Sequence, residues 1–119
     1  MAVMTSDELA RLCVSAAEDK KARDVIVLDL RGLTTIADHF VICEGDTDRQ
    51  VRAIADEVEK QCRDAGVRPL HTAGLKDASW ACLDFDAVIV HIFLPGERSF
   101  YDLESLWSGR SAHIPRAAP

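Results

Sequence analysis

Apolar residues recur along this chain with two different periods, and each period marks its own kind of element. Leu9, Leu12, Cys13, Ala16 and Ala17 share one face of a 3.6-residue repeat, which predicts a first helix over residues 6–21. Thr5 and Glu8 stand at T-x-x-E spacing, the capping box that opens such a helix. VIVLDL over residues 25–30 is rich in β-branched side chains and closed by Arg31-Gly32, so it reads as a buried strand. ADHFVICE over residues 37–44 reads as a second strand, and the short Gly-Leu-Thr-Thr connection predicts an antiparallel pair.

Val51, Ile54, Ala55, Val58, Cys62 and Ala65 form the clearest helical stripe, opened by a second box from Thr47 and Gln50 and stopped by Gly66. Asp56, Glu57, Glu59, Lys60, Arg63 and Asp64 fill the remaining surface as a solvated face. A short strand over residues 69–72, a turn over 74–77 and a hairpin of residues 80–84 with 87–94 complete the expected sheet. Pro95-Gly96 breaks it. A last helix over residues 99–107 turns Phe100, Leu103, Leu106 and Trp107 inward or toward a contact face, and Gly109 ends it. The prediction is an α/β fold: a mixed, mostly five-stranded sheet flanked by helices in the order α-β-β-α-β-β-β-α, similar to nucleotidyltransferase folds.

Composition narrows the class. At 119 residues and 48% hydrophobic content the chain can build one core, expected as a single domain over residues 1–110 with a frayed tail over 111–119. The formal net charge of −6 sets the overall field against broad phosphate-backbone binding, so a protein partner, especially a cationic one, fits better than nucleic acid. The longest apolar run, residues 87–94, is far short of the roughly 20 residues of a membrane span. The N-terminus lacks a basic-then-apolar signal pattern, so a cytoplasmic protein with no membrane contact is expected. Cys13, Cys43, Cys62 and Cys82 are widely spaced within apolar segments and read as reduced core residues.

Catalytic patterns are thin. Asp84 and Asp86 could place two carboxylates on one strand face, as metal-dependent nucleotidyltransferases do to hold magnesium. The candidate phosphate loop before them, Gly45-Asp46-Thr47-Asp48, is acidic and would repel phosphate. Both aspartates also sit at a predicted hairpin turn, where aspartate is favoured for bonding to backbone. His39, His71, His91 and His113 share no ligand spacing, Asp38 and His39 project from opposite strand faces, and no serine lies in a G-x-S-x-G elbow. The reading is therefore a protein without catalysis, cofactor or metal; an enzyme using Asp84 and Asp86, or a general protein-interaction module, are the alternatives.

The blocks LDLRGLTTIADHFVICEG and DRQVRAIADEV, the Gly74-to-Trp80 stretch, and WACLDFDAVIVHIF leading into RSFYDLESLW occur in an order that resembles the Iojap-related ribosomal silencing factors (RsfS). The resemblance runs from the first helix to Trp107. The chain departs from the pattern after Asp84, where the family often has Asp-x-Gly-Asp and this chain has Asp84-Phe85-Asp86-Ala87, suggesting a differently shaped turn. The resemblance implies a translation regulator that binds the large ribosomal subunit through its L-fourteen protein and sterically prevents the small subunit from joining. An acidic chain suits a basic ribosomal protein, because complementary charge speeds encounter.

Strand period then separates candidate contact residues. Trp80, Cys82 and Asp84 share one face while Ala81 and Leu83 share the other; in the next strand Ile89, His91 and Phe93 oppose Val88, Val90 and Ile92. Trp80, Leu83, Asp84, Lys76 in the 74–77 loop, His91 and Tyr101 are the expected partner-binding residues, since a docking surface needs aromatic anchors ringed by polar groups. His91, alone among apolar neighbours, is expected to bond to a neighbour such as Tyr101 or a backbone carbonyl. An aromatic patch left uncovered in the free protein would also favour a weak homodimer.

Overall fold

A computed structural model describes residues 4–96 and the backbone of His113–Ile114. Helix α1 (Ser6–Asp19) opens with the full capping box: Thr5 Oγ1 accepts from the Glu8 N–H at 3.1 Å, and Glu8 Oε1 accepts from the Thr5 N–H at 2.8 Å. Two strands follow, β1 (Arg23–Asp29) and β2 (His39–Glu44), antiparallel as expected from their short connection.

Helix α2 (Asp48–Asp64) is capped by Thr47, whose Oγ1 accepts from the Gln50 N–H at 3.1 Å. Its second box is only half formed. Gln50 Oε1 accepts instead from the Asp46 N–H at 2.7 Å, and its Nε2 donates to the carbonyls of Lys20 and Lys21 at 3.2 and 3.1 Å. The amide thus ties the start of α2 to the turn after α1, where Lys21 has a positive φ of 62°.

Strands β3 (His71–Ala73), β4 (Trp80–Asp84) and β5 (Val88–Phe93) complete the expected five. A sixth, β6 (His113–Ile114), pairs with β1 from within the segment read as a frayed tail, because β1 leaves its outer hydrogen-bonding groups open. Among the described residues the sheet order is β3-β4-β5-β2-β1-β6, with the central β2–β5 pair parallel and the other pairs antiparallel. The expected helix over residues 99–107 lies outside the described residues.

Among the described residues, both helices pack on one face. There Leu9, Cys13 and Ala17 of α1 and Val51, Ile54, Val58 and Cys62 of α2 meet Val41, Cys43, Ala81, Leu83, Val88, Val90 and Ile92 of the sheet. Fully burying an aliphatic side chain contributes about 1.5–3 kcal/mol. The exposed Lys60–Asp64 pair on α2, at 3.4 Å, contributes about 0.3–0.5 kcal/mol, so the apolar stripe holds this helix. The opposite face buries Ile26, Leu28, Phe40, Ile42, Ile89 and Phe93, with Trp80 and Cys82 packed against them.

Candidate functional site

Strand β4 lies one place in from the sheet edge formed by β3, and its first residue, Trp80, pairs in register with Phe93 of β5. The two rings stack at 5.0 Å between centroids with 27° between planes. Trp80 is half-buried, and its indole Nε1–H donates to His91 Nδ1 at 3.1 Å. That bond leaves Nδ1 without a proton and places the imidazole hydrogen on Nε2. Phe40 meets the His91 ring edge-on at 4.7 Å.

His91 is 7% exposed, and burial pushes its pKa down to about 4, so it is neutral at physiological pH. Its buried Nε2 has no hydrogen-bond partner among the described residues. The expectation of a bonded, buried histidine holds in kind, with Trp80 as the neighbour; as a partner-binding residue His91 is corrected, because its burial leaves it to support Trp80 from below the surface.

The turn before Trp80 is locked from several sides. Gly74 has φ +75°, and a Cβ there would run into the Trp80 carbonyl, which explains the Gly74-to-Trp80 spacing. The Ala78 N–H donates to the Gly74 carbonyl at 2.7 Å, Ser79 Oγ donates to Asp77 Oδ2 at 2.9 Å, and the Leu94 N–H donates to the Ser79 carbonyl at 3.0 Å. Lys76, at the tip, is exposed.

The structure gathers Trp80, His91 and the Lys76 loop at one end of the β4–β5 hairpin. Asp84 shares the Trp80 face but sits four residues along, about 13 Å away at strand rise. Leu83 is corrected: it is 0% exposed and packs against the helices, because strand alternation sends it to the face opposite Trp80. It has no surface to offer a partner. Tyr101 lies outside the described residues.

At the hairpin turn, Asp84 Oδ1 accepts from the Asp86 N–H at 2.8 Å, and Asp86 has φ +74°. Asp86 occupies the place where the pattern has glycine, in a left-handed conformation that aspartate tolerates better than most residues. Among the described residues, no group of three or more His, Cys, Asp or Glu could hold a metal ion, and no helix is long and apolar enough to cross a membrane.

Two clusters had no signal in the sequence. Arg52 of α2 reaches the loop that carries Lys76, a contact between residues more than twenty positions apart. At the far end of the sheet, His39 Nε2 donates to Asp7 Oδ1 at 2.9 Å, and Arg31 forks the Asp29 carboxylate at 2.9 and 2.6 Å. The Arg31 guanidinium holds Asp29 down at about 2. These residues clamp the start of α1 onto β1 and β2.

The four cysteines are free; Cys13, Cys43 and Cys62 are buried and Cys82 is half-buried. Cys13 and Cys62 Sγ lie 3.8 Å apart between the helices. Contact with Cys62, then burial, raises the Cys13 thiol well above its ordinary range, and burial raises Cys82.

The described residues form a mixed α/β sheet with both helices on one face and an aromatic cluster at one end of the β4–β5 hairpin, next in sequence to a locked turn. The family described as "Ribosomal silencing factor during starvation" matches residues 3–118, and this chain belongs to it. The chain is 41% identical over 104 residues to the ribosomal silencing factor RsfS of Halalkalibacterium halodurans, covering 87% of this chain and 89% of that protein. It is 33% identical to the mouse protein named for mitochondrial assembly of the ribosomal large subunit, covering 84% of this chain and 45% of that one. A crystal structure of a Chromobacterium violaceum protein superposes with a TM-score of 0.87 at 36% identity, covering 98% of both chains.

Proposed function

We propose that this protein binds the large ribosomal subunit through its L-fourteen protein and, by occupying that place, keeps the small subunit from joining. The action is steric and takes place in the cytoplasm; no bond is made or broken. The observation that carries the reading is the family match over residues 3–118, and the half-buried Trp80 beside exposed Lys76 gives it a surface. Aromatic anchors on rigid strands carry much of the energy of protein interfaces, and a net charge of −6 favours encounter with a basic partner.

The test is sedimentation of the purified protein with isolated large subunits, followed by addition of small subunits. Binding to the large subunit and a reduced yield of joined particles are expected. Trp80→Ala should weaken binding at least about thirtyfold, the scale of an interface hot spot. Equal joining with and without the protein would overturn the reading.

A further inference from the structure

We propose that Arg52 is the positioning residue of the docking surface: it holds the 74–79 loop in the one shape that presents Lys76 and Trp80 together. The inference rests on the docking reading above. Arg52 Nε donates to the Leu75 carbonyl at 3.0 Å and its Nη2 donates to the Lys76 carbonyl at 2.8 Å. Nε and Nη2 form one edge of the planar guanidinium, so a single side chain grips two successive backbone oxygens as a fork. Nη1 faces Asp48 Oδ2 at 3.5 Å, one helical turn earlier, which steadies the fork on α2.

The grip falls on the stretch of the loop between its pinned ends, where the Leu75 side chain also packs against the core. The Gly74 carbonyl is taken by the Ala78 N–H, which closes the neck of the turn; the next two carbonyls go to Arg52. Gly74 and Ala78 both hold positive φ, at 75° and 61°, and Ala78 is fully buried. With both ends pinned and the middle held from α2, the backbone of Lys76 is fixed while its side chain stays exposed and makes no salt bridge among the described residues. Ordering this loop in advance removes an entropy cost that would otherwise fall on binding. Lysine cannot replace this arginine, since an ammonium is a point donor without a planar fork.

The experiment measures large-subunit binding by sedimentation titration for the native protein, Arg52→Ala, Arg52→Lys, Lys76→Ala and the Arg52→Ala/Lys76→Ala double variant. Amide hydrogen exchange of residues 75–79 and the thermal midpoint are read on each. Arg52→Ala should weaken binding about tenfold, the scale of ordering one or two residues on binding. Arg52→Lys should recover little of the loss, and exchange should quicken in the loop while the strands stay protected. Because Arg52 acts through the presentation of Lys76, its effect should shrink in the Lys76→Ala background, whereas a merely structural residue would give losses that multiply. Unchanged loop exchange, full rescue by lysine, or multiplying losses would overturn the assignment. If the native protein fails to bind large subunits although Arg52→Ala still loosens the loop, the docking reading falls and takes the role given to Arg52 with it.

Discussion

On the helix-covered face of the sheet, Val41, Cys43, Ala81, Leu83, Val88, Val90 and Ile92 meet α1 and α2 through aliphatic and thiol contacts that have no required direction. On the opposite face, Phe40, Trp80, His91 and Phe93 interlock as rings, and one hydrogen bond, from Trp80 Nε1 to His91 Nδ1, fixes two of them. Both faces exclude water, but they do it with different chemistry. Aliphatic packing is tolerant of shape and depends on area, whereas a buried imidazole depends on its protonation and on one partner. The directional face is also the one that carries Trp80 to the surface, so the residue expected to meet a partner is anchored by the least tolerant part of the core.

The largest expected effect tests the tolerant face. Leu83→Ala removes a fully buried side chain from between sheet and helices and should cost about 2–5 kcal/mol of unfolding free energy, measured by urea denaturation. Below the transition, binding to large subunits should be unaffected, because Leu83 points away from Trp80. Loss of binding without loss of stability would show that the faces are not separate in function.

The sequence makes the parity of these strands plain but not their neighbours. Alternation in WACLD and VIVHIF correctly sets Trp80 with Cys82 and Asp84, and His91 with Phe93, yet grouping Leu83 with Trp80 as a contact residue ignores that same alternation. Helices α1 and α2 were legible because stripe and cap agree, as in Thr5 with Glu8. Gln50 departs from its box because Lys20 and Lys21, 30 and 29 residues earlier in the chain, offer carbonyls that no local pattern announces. The parallel β2–β5 pairing and the Arg52 grip are long-range in the same sense. Two-residue β6 is too short to carry a period at all. Of the proposed docking surface, the proximity of Trp80, Lys76 and His91 was legible because they lie within one hairpin and its leading turn, whereas the burial of His91 and the support from α2 were not.

The directional face should be sensitive to acid. With its pKa at about 4 in the fold against 6.5 when unfolded, His91 is neutral in both states above pH 6.5 and costs nothing there. As pH falls from 6.5 toward 4, the unfolded chain takes up a proton that the folded protein refuses, so stability declines across that window by up to about 3 kcal/mol. Asp29 acts in a lower window: its carboxylate, held at about 2 by Arg31, stabilises the fold above pH 3.8 and loses that contribution as pH falls to 2. Urea midpoints at stepped pH should therefore fall in two separable stages. His91→Gln should flatten only the upper one; a slope that survives this substitution would remove His91 from the account.

The smallest effect is expected where polar atoms sit on the tolerant face. Cys13 and Cys62 bring their sulfurs to 3.8 Å, a weak contact between poor donors and acceptors that lies inside aliphatic packing. Cys13→Ala should cost about 1 kcal/mol, most of it from the small void left by the sulfur. A double-mutant cycle with Cys62→Ala should give a coupling below about 0.5 kcal/mol, since removing one thiol leaves the other no worse solvated than before. The same cycle on Trp80→Phe and His91→Gln should give about 1–2 kcal/mol, because losing the indole N–H strands a buried acceptor. If the cysteine pair couples as strongly as the Trp80–His91 pair, the two faces differ in composition only, and the link between directional packing and the docking edge loses its physical basis.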